Sequence, residues 1–231
     1  MMKERLSKFI PLIRFYHISS EDFLLKVHPF KKLLPDDLNN DILVYHMKPN
    51  KNLRQPPRCA SIIIKYSHFS ILARLIEKKD TSIYDISSIP YNFKLLYRSS
   101  RDGNEISTFH KNCDKMGSTI VIAKIKNSNQ IVGGYNPFHW DVNGLWKSSN
   151  DSFLFSFKDV SKFQSVIIGY SKGDPYSIHC GIGYGPMFGI GMDLVCNANG
   201  IWTSESSSYT KTDIPSIFEV DDYEVFQVIK K

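Results

Sequence analysis

The stretch Ser118-Thr119-Ile120-Val121-Ile122-Ala123-Lys124-Ile125-Lys126, Asn127-Ser128-Asn129, Gln130-Ile131-Val132-Gly133-Gly134-Tyr135 decides the fold. Its first run is rich in β-branched residues, whose stiff side chains favour an extended backbone. Asn127-Ser128-Asn129 is turn chemistry, and the run from Gln130 to Tyr135 reads as the returning strand of a hairpin. Further along, Phe153, Phe155 and Phe157 alternate with Leu154, Ser156 and Lys158, which predicts a half-buried strand. Ser165 to Tyr170, Ile178 to Gly183 and Phe218 to Ile229 read as more strands, the last anchored by Val220, Tyr223, Val225 and Phe226. Several short strands separated by Gly, Asn and Ser turns predict a β-sandwich.

Upstream of the hairpin the pattern is mixed. Ser61-Ile62-Ile63-Ile64 reads as a buried strand. From His68 to Lys79, Ile71, Leu72, Leu75 and Ile76 fall at helical spacing. Phe93 to Tyr97 is a short helix or a strand, which periodicity leaves open. Residues 48–60, KPNKNLRQPPRCA, are Pro-rich, basic and poor in apolar side chains, so they read as a linker. Before it, residues 1–47 read as helical. Ser19-Ser20-Glu21-Asp22 places capping groups and carboxylates at a helix start. Phe23, Leu24, Val27 and Phe30 follow on one predicted face, Pro29 ends or kinks the segment, and Pro35-Asp36-Asp37 opens a second helix carrying Leu38, Ile42 and Tyr45. The expected division is therefore a helical segment with its linker over residues 1–58 and a larger domain over 59–231.

Composition narrows the function. Of 231 residues, 42% are hydrophobic and 13% aromatic, enough for a real core, so wholesale disorder is excluded. Mean hydropathy is −0.24, and no apolar run approaches the roughly 20 residues of a membrane-spanning helix. The net charge of +6 and isoelectric point near 9.0 invite a nucleic-acid reading. The excess is local, however. Residues 1–58 hold 11 Lys and Arg against 6 Asp and Glu, whereas residues 59–231 hold 18 against 17. A near-neutral main domain lacks the surplus that tracks a phosphate backbone. Cys59, Cys113, Cys180 and Cys196 form no C-x-x-C pair and read as free thiols of a cytoplasmic protein. Arg14 interrupts the apolar stretch near the start and no small-residue cleavage site follows, so no secretory signal is expected.

The chemical motifs are each weak. Gly169-Tyr170-Ser171-Lys172-Gly173 matches G-x-S-x-G, but Asp174-Pro175 follows where a nucleophile elbow needs a helix, so a turn is expected. His110, Cys113, His179 and Cys180 have the side chains of a zinc site, yet neighbours on a strand face opposite ways, and no metal is expected. Lys111 and Lys115 favour a thiolate at Cys113 beside His110, which keeps a thiol-redox enzyme open next to a Ser171 hydrolase. The glycines at 181, 183, 185, 189 and 191 match neither G-x-G-x-x-G nor a P-loop, and no cofactor is expected. Asp222 and Glu224 share a strand face that reads as acidic and solvated.

Ordered segments of the larger domain resemble the TLDc domain of the oxidation-resistance family. They are Phe93 to Gly103, Phe109 to Asp114, Gly133 to Pro137 with Trp140, Asp151 to Phe157, Gly185 to Gly189 with Asp193, and Asp222 to Phe226. Phe226 stands where the family often has Trp, and Gly189-Ile190-Gly191 matches only in part. Phe9 to Tyr16 and Phe30 to Pro35 resemble the end of a BACK helical domain, which in many fungal and amoebal proteins links a BTB domain to a TLDc domain; the BTB part is missing here. The resemblance implies an α+β fold: a sandwich of two antiparallel sheets with flanking helices behind a BACK-like segment. It implies a non-enzymatic protein-interaction module, linked to oxidative-stress protection and to regulation of the vacuolar proton-pumping ATPase, whose subunits become candidate partners. A substrate-adaptor fragment of a BTB-BACK protein is the other implied role. Gly133, Gly134, Gly185, Gly189, Asp193 and Glu224 are the positions carried over as binding residues.

Overall fold

The structure, a computed structural model, describes residues 10, 13, 15, 18–47, 60–78, 89–159 and 166–231. The linker reading over 48–59, Cys59, most of the stretch before Ile18, Lys79 and Ser165 lie outside the described residues. The chain divides into two units, Met1–Pro57 and Arg58–Lys231.

In the larger unit the 118–135 hairpin forms as read. Strand β2 (Thr119–Ile125) pairs antiparallel with β3 (Ile131–Asn136). They lie inside a six-stranded sheet of order β1-β12-β2-β3-β5-β6, with β1 Tyr91–Arg98, β5 Phe153–Phe157, β6 Val166–Tyr170 and β12 Val220–Lys230. A second six-stranded sheet of order β11-β10-β9-β8-β7-β4 covers one face of the first. Its strands are short: β4 Trp146–Lys147, β7 Ile178–His179, β8 Met187–Phe188, β9 Leu194–Cys196, β10 Trp202–Thr203 and β11 Ile217–Phe218. The pairs between these twelve strands are all antiparallel. Two six-stranded sheets with several helices make the α+β sandwich that the sequence predicts.

The first sheet is buried on both faces. Val121, Ala123, Val132, Leu154, Tyr223 and Val225 meet Phe188, Leu194 and Trp202 of the second sheet. Ile120, Ile122, Phe153, Phe155, Phe157 and Phe226 face the other way, onto Phe69, Leu72 and Leu75 of helix Tyr66–Ile76. Alternation along a strand thus feeds two cores. It also corrects the half-buried reading of β5, whose five residues are all buried.

Two further expectations change. Ser61–Ile64 is a bend, not a strand: the Ser61 hydroxyl accepts the N–H groups of Ile63 and Ile64 at 3.0 and 2.9 Å. This side-chain bond turns the chain into helix Tyr66–Ile76. Asp222 and Glu224 are not solvated; they are 7% and 0% exposed, each held by donors from other segments. The open question at Phe93–Tyr97 resolves as strand β1, paired with β12.

In the smaller unit, helix Ser20–Asp22 is capped by the Ser19 hydroxyl, which accepts the Asp22 N–H at 3.0 Å. The chain continues as a π-helical turn, Phe23–Val27, then a 3₁₀ segment, His28–Leu33, kinked at Phe30 just after Pro29. Helix Asp36–Met47 follows. Phe23, Leu34 and Ile42 form the buried centre with Ile10 and Phe15. The wide π turn breaks the face predicted from 3.6 residues per turn. Phe23 is buried and Val27 half-buried, whereas Leu24 and Phe30 project outward. Among the described residues, no helix is long and apolar enough to cross a membrane.

Candidate interaction surface

Gly133 and Gly134 sit in the middle of β3. A Cβ on Gly133 would lie 2.0 Å from the Val121 carbonyl oxygen, and one on Gly134 would lie 2.7 Å from the Phe188 ring and 2.9 Å from Leu154. The missing side chains let β2 close on β3 and let Phe188 and Leu154 meet over the bare backbone. Gly185 packs in the interior beside Cys196. Gly189, at φ +75°, opens the turn after β8, and a Cβ there would fall 1.8 Å from Asp193 Oδ2.

Asp193 is 1% exposed and works at long range. Oδ1 accepts the N–H groups of Ser207 at 2.7 Å and Tyr209 at 2.9 Å, and Oδ2 accepts that of Ser208 at 3.1 Å. Burial pushes its carboxyl above the usual carboxylate range, against the pull of these three donors. The Ser204 hydroxyl also donates to the Asp193 carbonyl at 2.7 Å. Tyr209 continues into the sandwich, where its hydroxyl donates to the Ser177 carbonyl at 2.7 Å.

Together these contacts frame a groove of about 500 Å³. Leu154 and Ile214 lie within it, Asp193 and Tyr209 back it, and Thr203, Ser204, Thr210, Thr212 and Ser216 line it with hydroxyls. Met192 and Ile217 on its lining are exposed apolar residues, 38% and 71% respectively, with Glu205 and Lys211 beside them. The groove was not legible in the sequence. Its wall is a Ser/Thr-rich run, and only the distant Asp193 gives that run a shape.

Glu224 lies elsewhere. Its carboxylate accepts the Ser61 hydroxyl at 2.5 Å, the Ile62 N–H at 3.0 Å and Arg98 Nε at 2.7 Å. Arg98 Nη2 completes a buried ion pair at 2.7 Å and reaches the Ala60 carbonyl. Asp222 does similar work, accepting both Ser99 and Ser100 hydroxyls and the Ser100 N–H.

The groups named for catalysis have other partners among the described residues. The Ser171 hydroxyl meets Ser177 Oγ at 2.8 Å and accepts the Gly173 N–H at 3.2 Å; among the described residues, no imidazole bonds to it. His110 does not pair with Cys113. Its Nδ1 faces Asp114 at 2.9 Å and its Nε2 faces the Tyr184 carbonyl at 2.9 Å. Cys113 is fully buried, and burial pushes its thiol above the usual range, the opposite of a poised thiolate. Cys196 is likewise pushed up to about 12 by burial. His179 packs on Trp146 at 4.5 Å, and burial holds its imidazole below the usual range. Among the described residues, no three His, Cys, Asp or Glu side chains gather to hold a metal ion.

The TLDc domain family matches residues 58–229. The chain belongs to the TLDc family. A comparison with curated proteins returned no match. The TLDc match covers the sandwich and leaves the N-terminal unit outside it.

Proposed function

We propose that this TLDc protein is a non-enzymatic recognition module that holds a protein partner at the groove beside Asp193. The observation that carries the reading is the recess itself. It pairs exposed Met192 and Ile217 with a wall fixed by a buried carboxylate. Rigid framing lowers the ordering cost of binding, and exposed apolar anchors supply the affinity. Gly134, Gly189 and Asp193 act in this reading by shaping the groove, and Gly133, Gly185 and Glu224 by holding the sandwich behind it. The family resemblance supports subunits of the vacuolar proton-pumping ATPase as the partner, a cytoplasmic setting and a role in oxidative-stress protection. The second reading, a substrate-adaptor role with a BACK-like N-terminal unit, rests only on the likeness of Phe9 to Tyr16 and Phe30 to Pro35 and lies outside the TLDc match.

The test is binding of the purified full chain to purified vacuolar ATPase subunits. I217D and M192D should each weaken retention at least about tenfold with unchanged unfolding behaviour, because each buries a charge in an apolar contact. Retention unaffected by either substitution would remove the groove from the interface. No retention of any subunit would remove the ATPase.

A further inference from the structure

The N-terminal unit exposes apolar side chains in one short run. Leu24, Leu25 and Phe30 are 53%, 67% and 60% exposed, along the π turn and 3₁₀ segment that follow buried Phe23. Lys26, Lys31 and Lys32 stand among them, all exposed. Lys26 pairs with Asp22 at 2.8 Å, whereas Lys31 and Lys32 form no ion pair with any described residue. Glu21, on the first helical turn, is the other acidic group of this run. A soluble surface seldom leaves two adjacent leucines and a phenylalanine outside without a use.

We infer that this run docks the protein on an anionic lipid surface, with Leu24, Leu25 and Phe30 entering the interface and Lys26, Lys31 and Lys32 meeting lipid phosphates. The chemistry is that of an interfacial amphipathic segment, with apolar insertion and cationic attraction combined on one short element. The sequence around the run is basic in sum: residues 1–58 hold 11 Lys and Arg against 6 Asp and Glu, although Asp36, Asp37 and Asp41 of the next helix oppose that charge. The inference is independent of the groove and of its partner.

The experiment is co-sedimentation of the full chain with vesicles. One set is phosphatidylcholine alone; in the other, a third of the lipid is phosphatidylserine. The anionic vesicles should bind at least about tenfold more tightly, and added salt should erase the preference. L24E/L25E should lower binding by about tenfold or more, and K31E/K32E should do the same without touching an apolar residue. These side chains are exposed, and circular dichroism of each variant shows whether the fold is retained. Equal binding to both vesicle types, binding unchanged in both variants, or concentration-dependent self-association through Leu25 without vesicle binding would each overturn the inference. So would retention by an acidic protein with no vesicle binding.

Discussion

The Asp193 carboxylate offers a sharp test, because three backbone donors depend on one side chain. In D193A all three lose their acceptor. The Ser207 N–H belongs to an exposed residue and can turn to water; those of Ser208 and Tyr209 belong to residues 0% and 1% exposed. Two buried orphans at about 1–3 kcal/mol each, less the relief of no longer burying a charge, give a net loss of about 3 kcal/mol. For a unit of this size that lowers Tm by about 6–12 °C. D193N keeps an oxygen for Ser207 and Tyr209 but turns an amide donor toward the Ser208 N–H, so about 1–2 kcal/mol is expected. Tryptophan fluorescence is the assay of choice, since Trp140, Trp146 and Trp202 all lie in the sandwich unit and none in the N-terminal one. Acidity adds a second readout. The folded carboxyl sits above its unfolded value near 3.9, so its contribution to stability is full below that value and is lost as pH rises through the folded value. Urea stability of the wild type minus that of D193N should therefore shift in favour of the wild type as pH falls across that window. A D193A protein melting within about 2 °C of wild type, or a D193N protein weaker than D193A, would refute the reasoning.

Three other outcomes are expected. G133A should cost at least about 3 kcal/mol, because its Cβ would meet the Val121 carbonyl at 2.0 Å, whereas G183A, with nothing within 4 Å, should leave the melting curve unchanged. E224Q should cost about 3 kcal/mol by leaving Arg98 without its counter-charge, and amide hydrogen exchange should rise first over Ser61–Ile64. Iodoacetamide should label Cys113, Cys180 and Cys196 slowly in native buffer and fast in urea, since all three are buried; rapid native labelling of Cys113 would contradict the buried thiol.

The long strands were legible because period-two patterning is local. β2 and β3 follow directly from the residues of the 118–135 hairpin. The two-residue strands of the second sheet were not, since Trp146–Lys147 or Met187–Phe188 is too short for any period to show, and pairing alone defines them. Ser61–Ile64 resembles a strand because of its three isoleucines, while the bend rests on the Ser61 hydroxyl, which accepts two N–H groups of its own segment and is itself held by Glu224, far along the chain. The same holds for the carried-over positions. Their residue types were visible, but the groove beside Asp193 arises from its carboxylate and three amides 14, 15 and 16 residues away, and Glu224 lies apart from it. The outward turn of Leu24 and Phe30 depended on a π turn, which sequence patterning assumes away.

The strand order β1-β12-β2 places the last-made strand of the first sheet at its interior. Tyr91 pairs with Lys230 and Ile125 with Val220, so β1 has no partner, and β2 has only β3, until β12 has been made. A nascent chain emerging from the ribosome would carry β1 as an unsatisfied extended segment throughout synthesis of everything between. The first sheet should therefore close in a late step once β12 is made, with β1 needing protection from pairing with other nascent chains until then, and a chain stopped before Phe226 should not close it.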